Sequence, residues 1–391
     1  MNKYIEETEQ NLIKTYNPAQ IVLEKGDGAY LYDVDGKKYL DFAAGYAVCG
    51  LGYNNEEFNN SLKAQIDELI HTSNLYYNTT RGEAAKALKD ISGMDGVFFT
   101  NSGTEANEGA LKMARAYHYR KGNKKTEFIS FNNSFHGRTF GALSVTGTKE
   151  YQEPFEPMLP TVKFAEFNNL QSVKELINDN TCGIIVEPLQ GEGGINLANK
   201  DFLAGLKDIC HANDILLIFD EIQCGMGRSG EFFTWQTFGI KPDIMTVAKA
   251  IGNGVPIGAF LGTEKVISNS LKPGDHGTTY GGNPLCCKAV VTTIDLYKKL
   301  NILDNVKVVG KYLEEKLNEL KKENNKVVAV KGTGLMEGIE LSVPVSDVIA
   351  KANENGLLLI SAKGNVIRFV PPLIITKEQV DEMIGILKGC I

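Results

Sequence analysis

Five apolar residues followed at once by two acids form the stretch Ile215-Leu216-Leu217-Ile218-Phe219-Asp220-Glu221. A run this short and this apolar is typical of a strand that is covered on both faces. Five similar runs occur across the middle of the chain, at residues 96–100, 127–131, 183–186, 244–247 and 258–261. Stretches with helical periodicity separate them. This alternation predicts an α/β layer with a largely parallel sheet.

The two ends of the chain have a different pattern. Before about residue 55, short strand-like runs surround glycine and Asp-Gly turns. After about residue 290, a long helical stretch at 289–320 precedes further strand-like runs. We therefore predict three units. They are an N-terminal segment at 1–55 that packs with the small domain, a large domain at 56–290, and a smaller C-terminal α+β domain at 291–391.

The composition excludes several classes of partner. A formal net charge of −7 argues against nucleic acid or an anionic membrane as the main partner. The apolar runs are far shorter than the roughly 20 residues of a membrane span, and the polar start predicts no signal or transit peptide. The seven scattered cysteines indicate free thiols in a reducing compartment, and the five histidines form no HExxH pattern. We expect a cytoplasmic protein without a catalytic metal.

Polar residues that directly follow the apolar runs are the candidates for chemistry, because open α/β sheets bind ligands beyond the carboxyl ends of their strands. Asp220 is one: a carboxylate there either caps a helix or holds a pyridinium nitrogen protonated. Lys249 follows the run at 244–247 and lies between Ala248 and Ala250, before a glycine-rich turn. Most lysines lie at the surface, but enclosure lowers the pKa of a lysine and makes Schiff-base chemistry possible.

The sequence Ser102-Gly103-Thr104 stands where the run at 96–100 turns into a predicted helix. Exposed backbone N–H groups and the positive end of the helix favour a phosphate there, with the two hydroxyls as additional donors. The alternative is a plain N-cap, for which serine and threonine are favoured residues.

Two further clusters follow predicted strands. In Ser134-Phe135-His136-Gly137-Arg138 the aromatic ring could stack on a planar cofactor, and the guanidinium could clamp a carboxylate in a bidentate manner. Taken singly, the aromatic residue is more typical of a core and the arginine of a surface. The glycine-rich loop at 187–194 carries Glu187 and Glu192. It indicates either a charged wall of a site or a solvated loop.

These stretches together resemble the class III aminotransferases, which belong to fold type I of the pyridoxal-phosphate enzymes. The resemblance runs from about Asn17 to the last predicted helix. Its motifs are TNSGTEAN at 100–107, FHGRT at 135–139, EPLQGE at 187–192, DEIQ at 220–223, the lysine at 249 with GVPIGA at 254–259, and HGTTYGGNP at 276–284. Within the family the chain is most similar to the bacterial acetylornithine branch. The implied fold is a large domain with a mostly parallel sheet plus a smaller α+β domain.

The resemblance implies pyridoxal 5′-phosphate as the cofactor and assigns roles to residues. Lys249 is implied as the Schiff-base lysine and proton shuttle, and Asp220 as the partner of the pyridine nitrogen. Cofactor contacts are implied for Ser102, Gly103, Thr104, Phe135, Asp220, Glu221, Ile222, Gln223, Lys249 and Thr279. Substrate contacts are implied for Tyr16, Arg138, Glu192, Thr278 and Arg368.

Some of these roles are specific. Arg138 is implied to hold the α-carboxylate of the amino donor, and Arg368 that of glutamate or 2-oxoglutarate. Glu192 is implied to mask Arg368 while an ornithine-type substrate is bound. Thr279 is implied to reach the phosphate in the neighbouring subunit, with Thr278 beside the substrate. A homodimer with shared active sites follows from the resemblance.

The implied reaction moves the terminal amino group of N-acetylornithine to 2-oxoglutarate, giving N-acetylglutamate semialdehyde and glutamate in arginine biosynthesis. The alternative is a related ω-aminotransferase that acts on ornithine, 4-aminobutyrate, succinylornithine or succinyl-diaminopimelate. Cys49 and Tyr53 replace a common asparagine and histidine, and Tyr46 could narrow the cleft, so the preferred amine and the pathway stay open. A nicotinamide oxidoreductase is a more distant alternative, but the glycine-rich loops lack the GxGxxG spacing. A non-catalytic binding protein would be expected to lack Lys249 or Asp220.

Overall fold

A computed structural model describes residues 2–391, so Met1, the first residue of the predicted N-terminal segment, lies outside the described part. The helices are α1 Lys3–Asn11, α2 Ala44–Ala47, α3 Glu56–Glu68, α4 Thr79–Ser92, α5 Gly103–Arg120, α6 Phe140–Ser144, α7 Lys149–Gln152, α8 Leu170–Leu176, α9 Lys200–Ala212, α10 Thr234–Phe238, α11 Glu264–Ile267, α12 Pro284–Lys299, α13 Ile302–Glu323, α14 Val345–Glu354 and α15 Lys377–Cys390. The strands are β1 Leu23–Asp27, β2 Tyr30–Asp33, β3 Lys38–Asp41, β4 Gly96–Thr100, β5 Glu127–Phe131, β6 Val162–Ala165, β7 Thr181–Val186, β8 Leu189–Gln190, β9 Asn196–Leu197, β10 Leu216–Asp220, β11 Ile244–Val247, β12 Gly258–Gly262, β13 Val327–Thr333, β14 Met336–Leu341, β15 Leu357–Leu358, β16 Ile360–Ala362 and β17 Val366–Phe369. Short 3₁₀ turns lie at Glu153–Phe155 and Lys249–Ile251.

Seven strands form the central sheet in the order β4-β12-β11-β10-β7-β5-β6. β12 runs antiparallel to both of its neighbours, whereas β11, β10, β7, β5 and β6 pair in parallel. The prediction of an α/β fold with a mostly parallel sheet is confirmed. The outermost strand, β6, was not predicted.

The strand β10 shows why its sequence is apolar on both faces. Leu216 and Ile218 join a core cluster with residues of α5, while Leu217 and Phe219 join a second cluster with residues of α9. Because side chains alternate along a strand, Asp220 points to the same side as Leu216 and Ile218. The strand therefore delivers its acid towards α5.

The remaining sheets lie outside this layer. The C-terminal part builds an antiparallel sheet in the order β13-β14-β17-β16, and the N-terminal strands build another in the order β1-β2-β3-β15. In the latter, β3 pairs in parallel with β15, which belongs to residues 291–391. This pairing supports the division into 1–55, 56–290 and 291–391, which we keep as a proposal.

The helical stretch predicted at 289–320 is two helices, α12 and α13. They are separated by Leu300, which ends α12, and by Asn301, which has a φ of 51°. Asparagine tolerates this left-handed conformation better than most residues do. The chain therefore turns here without a glycine or proline that would have marked the break.

All seven cysteines are free thiols, as predicted. In residues 2–391, no cluster of histidine, cysteine and acidic side chains is arranged to hold a metal ion. Within the same range, no helix has the length and apolar composition needed to cross a bilayer.

One acid inside the small sheet is a source of pH-dependent stability. The side chain of Glu337 on β14 is 1% exposed, and its Oε2 atom has no hydrogen-bond partner among residues 2–391. Burial, with a smaller contribution from Glu314, raises the pKa of Glu337 to about 9 from an ordinary value of 4.5. The stability that this group contributes is therefore complete below the unfolded pKa and is lost as the pH rises towards the folded pKa.

We expect Glu337→Gln to raise the melting temperature relative to the wild type by an amount that grows between about pH 5 and about pH 8. The amide needs no proton to remain buried, so the difference in unfolding free energy should increase by about 1 kcal/mol per pH unit. Calorimetry of both proteins across this range measures the trend. Glu340→Gln on the same strand is the control, because Glu340 pairs with Lys331 at the surface. A pH-independent difference for Glu337→Gln would contradict the buried protonated acid.

Candidate active site

One cavity of about 440 Å³ lies where the carboxyl ends of β4, β5, β7, β10 and β11 meet. This volume falls within the range of small-molecule sites, roughly 300–1,000 Å³. The predicted site residues that line it are Ser102, Gly103, Thr104, Phe135, Arg138, Glu192, Asp220, Ile222, Gln223 and Lys249. Glu187, the other acid of the loop at 187–194, also lines it, and so do residues without a predicted role such as Val48, Asn101 and His136.

Asp220 is held by a network of polar groups. Its side chain is 3% exposed, and its Oδ2 atom accepts a hydrogen bond from Asn107 Nδ2 at 2.8 Å and lies 2.7 Å from His136 Nδ1. The other oxygen accepts from the backbone N–H of Ile222 at 3.0 Å. Asn107 also donates to the backbone oxygen of His136 at 2.6 Å. A buried carboxylate needs such partners, and these fix its orientation.

Lys249 stands at the end of β11 in an unusual backbone conformation. Its φ of 51° lies in the left-handed region, where a non-glycine residue carries strain of about 1 kcal/mol or more. Burial lowers the pKa of Lys249 to about 8, and the carboxylate of Glu192 acts against this shift. A substantial fraction of the amine is therefore neutral near physiological pH, as a nucleophile requires.

The loop between β4 and α5 contains the turn that is predicted to bind phosphate. The Ser102 hydroxyl caps α5 by accepting from the backbone N–H of Glu105 at 3.3 Å. The same acid accepts from the backbone and side chain of Asn101 at 2.9 Å and 2.8 Å. A Cβ atom at Gly103 would lie 2.9 Å from the side chain of Ile222, so the chain passes closely over that residue. Ser102, Gly103 and Thr104, at the start of this 18-residue helix, line the cavity, and the N–H groups of a helix N-terminus suit an anion.

Thr104 departs from the expectation that its hydroxyl is an additional phosphate donor. Its Oγ1 atom accepts from the backbone N–H groups of Arg138 and Thr139 at 3.2 Å and 3.3 Å, and it lies 2.9 Å from the Thr139 hydroxyl. The side chain is therefore committed to the loop after β5. The backbone N–H of Thr104 stays a predicted phosphate donor.

Phe135 and Arg138 form the opposite wall. The backbone N–H of Phe135 donates to Glu187 at 3.0 Å, and Glu187 also accepts from the N–H of Gly191 at 3.2 Å. Burial raises the pKa of Glu187 to about 7, while His136 acts in the other direction. The guanidinium carbon of Arg138 lies 3.8 Å from the ring centre of Tyr151. In residues 2–391 no carboxylate lies within ion-pair distance of Arg138, so its N–H groups are available to a ligand.

Arg368 lies behind the cavity wall and is fully buried. Its Nη1 atom donates to Glu192 Oε1 at 2.9 Å and to Gln223 Oε1 at 2.8 Å, and Nη2 donates to the backbone oxygen of Ser361 at 3.1 Å. Burial raises the pKa of Glu192, but the charge and hydrogen bond of Arg368 outweigh it, so the net pKa is lowered. Glu192, which lines the cavity, thus stays ionised and covers the guanidinium.

The turn α2 approaches the same arginine. All four residues of 44–47 have positive φ, so α2 is a single left-handed turn. Left-handed turns cost roughly 1–2 kcal/mol per residue, and Asp41 offsets part of this by accepting from two N–H groups at the start of the turn. The turn brings Val48 to the cavity and places the Tyr46 ring 5.4 Å from the Arg368 guanidinium carbon.

Besides Arg368, four predicted site residues do not line the cavity. Tyr16 is 84% exposed on the N-terminal stretch, and Thr279 is exposed between α11 and α12. Thr278 approaches the cavity residue Asn101 at 3.4 Å. Glu221 was expected to contact the cofactor, but its carboxylate accepts from the N–H groups at the start of α10, on the α9 side of the sheet. The alternation of side chains along β10 explains why it is turned away.

His136 and Asn107 belong to the sequence motifs at 135–139 and 100–107, but no role was predicted for either residue. Asn107 falls on the same face of α5 as Gly103, Ala110 and Ala114, which is otherwise small and apolar. Asparagine is a poor helix former, so its presence on a buried face was the available signal. For His136, nothing in the local pattern distinguishes it from a core histidine.

The groups in the cavity fit pyridoxal phosphate. The N-terminus of α5 offers backbone donors for a phosphate, and Lys249 offers an amine for a carbonyl carbon. Asp220 offers a buried carboxylate, held by Asn107 and His136, for a protonated ring nitrogen. Phe135 lines the cavity wall and offers an aromatic face for the ring of the cofactor.

Comparison with known proteins agrees with this chemistry. Residues 13–391 match the model of the family described as aminotransferase class-III. Acetylornithine aminotransferase from Aquifex aeolicus is 47% identical over 96% of this chain and 98% of its own length. The protein of the same name from Methanocaldococcus jannaschii is 45% identical over 96% of this chain and 94% of its own length.

A solved structure extends the comparison to the fold. Ornithine aminotransferase from Toxoplasma gondii, described with partial occupancy of pyridoxal phosphate at its active site, superposes with a TM-score of 0.95 at 31% identity. The superposition covers 100% of this chain and 94% of that chain. The chain therefore belongs to the class-III aminotransferases and is a pyridoxal-phosphate-dependent transaminase.

Proposed function

We propose that the chain transfers the terminal amino group of N-acetylornithine to 2-oxoglutarate, giving N-acetylglutamate semialdehyde and glutamate. The observation that carries this proposal is the presence of two guanidiniums, one open and one covered. Arg138 lines the cavity without an acidic partner, and Arg368 is paired with Glu192. Such a pair suits two substrates that differ in their carboxylates. Relatives named acetylornithine aminotransferase at 42–47% identity support the choice of amine.

The cofactor supplies an electron-withdrawing ring that stabilises negative charge at the substrate carbon bearing the amine. Asp220 keeps the ring nitrogen protonated, and Asn107 and His136 hold the acid in place. The backbone of Ser102, Gly103 and Thr104 would hold the phosphate, and Phe135 would offer its ring to the cofactor. Gln223 and Ile222 complete the cofactor side of the site.

Lys249 would supply the amine that holds the cofactor and, once the donor's amine has taken its place, the free amine that moves a proton. Its Nζ atom takes the proton from the δ-carbon of the donor, for which a pKa of about 8 is well matched. The strained backbone of Lys249 fixes the direction of the side chain from β11. Because every residue of β11 is buried, we expect this geometry to be held when substrate binds.

Carboxylate recognition divides between the two arginines. Arg138 binds the α-carboxylate of N-acetylornithine, while the Glu192–Arg368 pair stays closed. When 2-oxoglutarate binds, its carboxylate replaces Glu192 at Arg368. Tyr16, on the N-terminal stretch, and Thr278, between α11 and α12, contact the substrate in this proposal.

The active unit in this proposal is a homodimer in which Thr279 reaches the phosphate of the neighbouring subunit. Exposed apolar side chains beside Thr279 support an interface, since contiguous patches of this kind mark contact surfaces. They are Ile66, Leu69, Ile70, Leu75, Tyr76, Tyr77 and Tyr280. The rings of His71 and Tyr280 lie 5.3 Å apart, which joins the two segments into one surface.

We place the enzyme in the cytoplasm and in arginine biosynthesis.

Ornithine is the second candidate donor. The solved ornithine aminotransferase from Toxoplasma gondii has the same fold at 31% identity. The ring of Tyr46 lies beside Arg368 and occupies space at the Arg368 end of the substrate site. Succinylornithine, succinyl-diaminopimelate and 4-aminobutyrate remain alternatives of the same chemistry.

The donor is tested by the first half-reaction. We expect N-acetylornithine to bleach the visible absorbance of the bound cofactor faster, at equal concentration, than ornithine, 4-aminobutyrate or the succinylated amines. Lys249→Ala should abolish turnover and the borohydride-reducible link between protein and cofactor, while Lys265→Ala, at an exposed site, should behave as the wild type. Faster bleaching by another amine would replace the proposed donor, and a reducible link in Lys249→Ala would refute the role of Lys249.

Glu192→Gln tests the covered arginine. Loss of the ion pair leaves Arg368 open, so we expect the preference for N-acetylornithine over glutamate in the first half-reaction to fall by roughly tenfold or more, the worth of a charged hydrogen bond. Stopped-flow rates with each amine measure this ratio. Glu187→Gln, in the same loop but bonded to backbone N–H groups, is the comparison. An unchanged ratio in Glu192→Gln would contradict the masking of Arg368 by Glu192.

A mixed dimer tests the shared site. Lys249→Ala and Thr279→Glu, which sets an acid against the phosphate, are each expected to be inactive as pure dimers. Co-expressed with different tags and purified as the mixed form, they should give about half of wild-type activity, because one site then carries both changes and the other carries neither. Light scattering checks that Thr279→Glu still dimerises. An inactive mixed dimer would show that each site is built from one chain.

A further inference from the structure

The hydroxyl of Thr104 is saturated by protein groups. A threonine hydroxyl has one proton to donate and two lone pairs that accept. Two backbone N–H groups, those of Arg138 and Thr139, donate to Thr104 Oγ1 at 3.2 Å and 3.3 Å. The third neighbour is Thr139 Oγ1 at 2.9 Å. Together these contacts use both lone pairs and leave one proton to be assigned.

The direction of the third bond follows from Glu108. Thr139 Oγ1 donates its single proton to Glu108 Oε1 at 2.5 Å, because an ionised carboxylate accepts and cannot donate. Thr139 is therefore the acceptor in its contact with Thr104, and Thr104 must spend its own proton there. No donor remains on this side chain for a phosphate oxygen.

The same acid secures the loop from the other side. Glu108, on α5, also accepts from the backbone N–H groups of Gly141 and Ala142 at 2.9 Å and 3.2 Å. A Cβ atom at Gly137, where φ is 136°, would lie 2.2 Å from Thr104 Oγ1, so the loop sits directly on the threonine. Residues 137–142 are thus fastened to α5 at Thr104 and at Glu108.

The side chain that this fastening directs is Arg138. Its guanidinium lies over the ring of Tyr151 and 5.5 Å from the Phe135 ring centre, and the side chain lines the cavity. A bidentate contact with a carboxylate tolerates little displacement. Thr104 accepts from the backbone N–H of Arg138, whose nitrogen is bonded to the Cα atom that carries this side chain.

We propose that Thr104 is a positioning residue for Arg138 and sets recognition of the donor's carboxylate, while the phosphate is bound by backbone N–H groups of the same turn. This inference rests on the proposed function, in which Arg138 is the carboxylate clamp. It separates two roles that one short motif combines. The phosphate site depends on the backbone of 102–104, and the donor site depends on the Thr104 hydroxyl.

The test compares two amines that differ in one group. N-acetylputrescine is N-acetylornithine without the α-carboxylate, so only the latter uses the clamp. In Thr104→Val, which removes the hydroxyl but keeps the shape, we expect the ratio of kcat/KM for N-acetylornithine to that for N-acetylputrescine to fall by roughly tenfold, as for a lost bond to a charged group. Thr104→Ser should restore the ratio. Thr104→Ala covers the case in which the valine methyl group disturbs folding, which melting temperatures reveal.

Cofactor affinity, measured by titrating the apoprotein with pyridoxal phosphate, gives a readout that is independent of turnover. We expect Thr104→Val to retain the wild-type affinity. Weakened affinity with equal losses for both amines would show that the hydroxyl is a phosphate ligand and would overturn the inference. An unchanged ratio of the two amines would overturn it as well.

Arg138→Ala separates this inference from the proposed function. If Arg138 is the clamp, its removal lowers the ratio of the two amines, and adding Thr104→Val to it lowers the ratio no further. A ratio that does not respond to Arg138→Ala refutes the clamp itself. A ratio that responds to Arg138→Ala but not to Thr104→Val refutes the positioning role alone. Further loss in the double variant shows that Thr104 acts by another route.

Discussion

A carboxylate buried at the end of a β-strand is the constraint on which the rest of the site depends. Asp220 is 3% exposed, and an ionised acid at that depth costs several kcal/mol unless polar groups surround it. Asn107 and His136 provide those groups from α5 and from the loop after β5. Both segments must therefore stand close to β10. The same requirement explains an asparagine on a helix face where packing alone favours alanine.

The loop after β5 is held by neighbouring elements at three points. Asn107 binds the backbone oxygen of His136, Glu187 binds the N–H of Phe135, and Thr104 binds the N–H of Arg138. In the proposed reaction, this one loop carries Phe135, which stacks on the ring, and Arg138, which clamps the carboxylate. Between them in the sequence lies His136, which contacts Asp220, the partner of the ring nitrogen. Because each is tied to α5 or to the loop after β7, their mutual geometry exists before substrate arrives, which is how a site is preorganised.

The sequence carries some of these features locally and others not at all. Asp220 and Lys249 could be predicted because each follows an apolar run that ends abruptly, and strand ends of a parallel sheet converge. Arg368 and Glu192 are 176 residues apart, so no local pattern links them, and their pairing came from the resemblance. Ser102 and Thr104 looked alike at the start of α5. Their hydroxyls differ because a loop from another strand lies against Thr104, which spacing along the chain cannot show. Thr279 and Tyr16 do not line the cavity, so their roles stay predictions that come from the resemblance.

In the proposed reaction, the two arginines allow one site to accept two acids in turn. Removing Glu192 from Arg368 without replacement would leave a buried guanidinium unpaired, at a cost of roughly 3–5 kcal/mol. In the proposed reaction an incoming carboxylate takes the place of Glu192, so the charge on Arg368 remains paired throughout. A donor whose single free carboxylate is already bound by Arg138 has nothing to offer in exchange, and the internal pair stays closed. Selection between the substrates is then a competition between an internal and an external carboxylate for the same guanidinium.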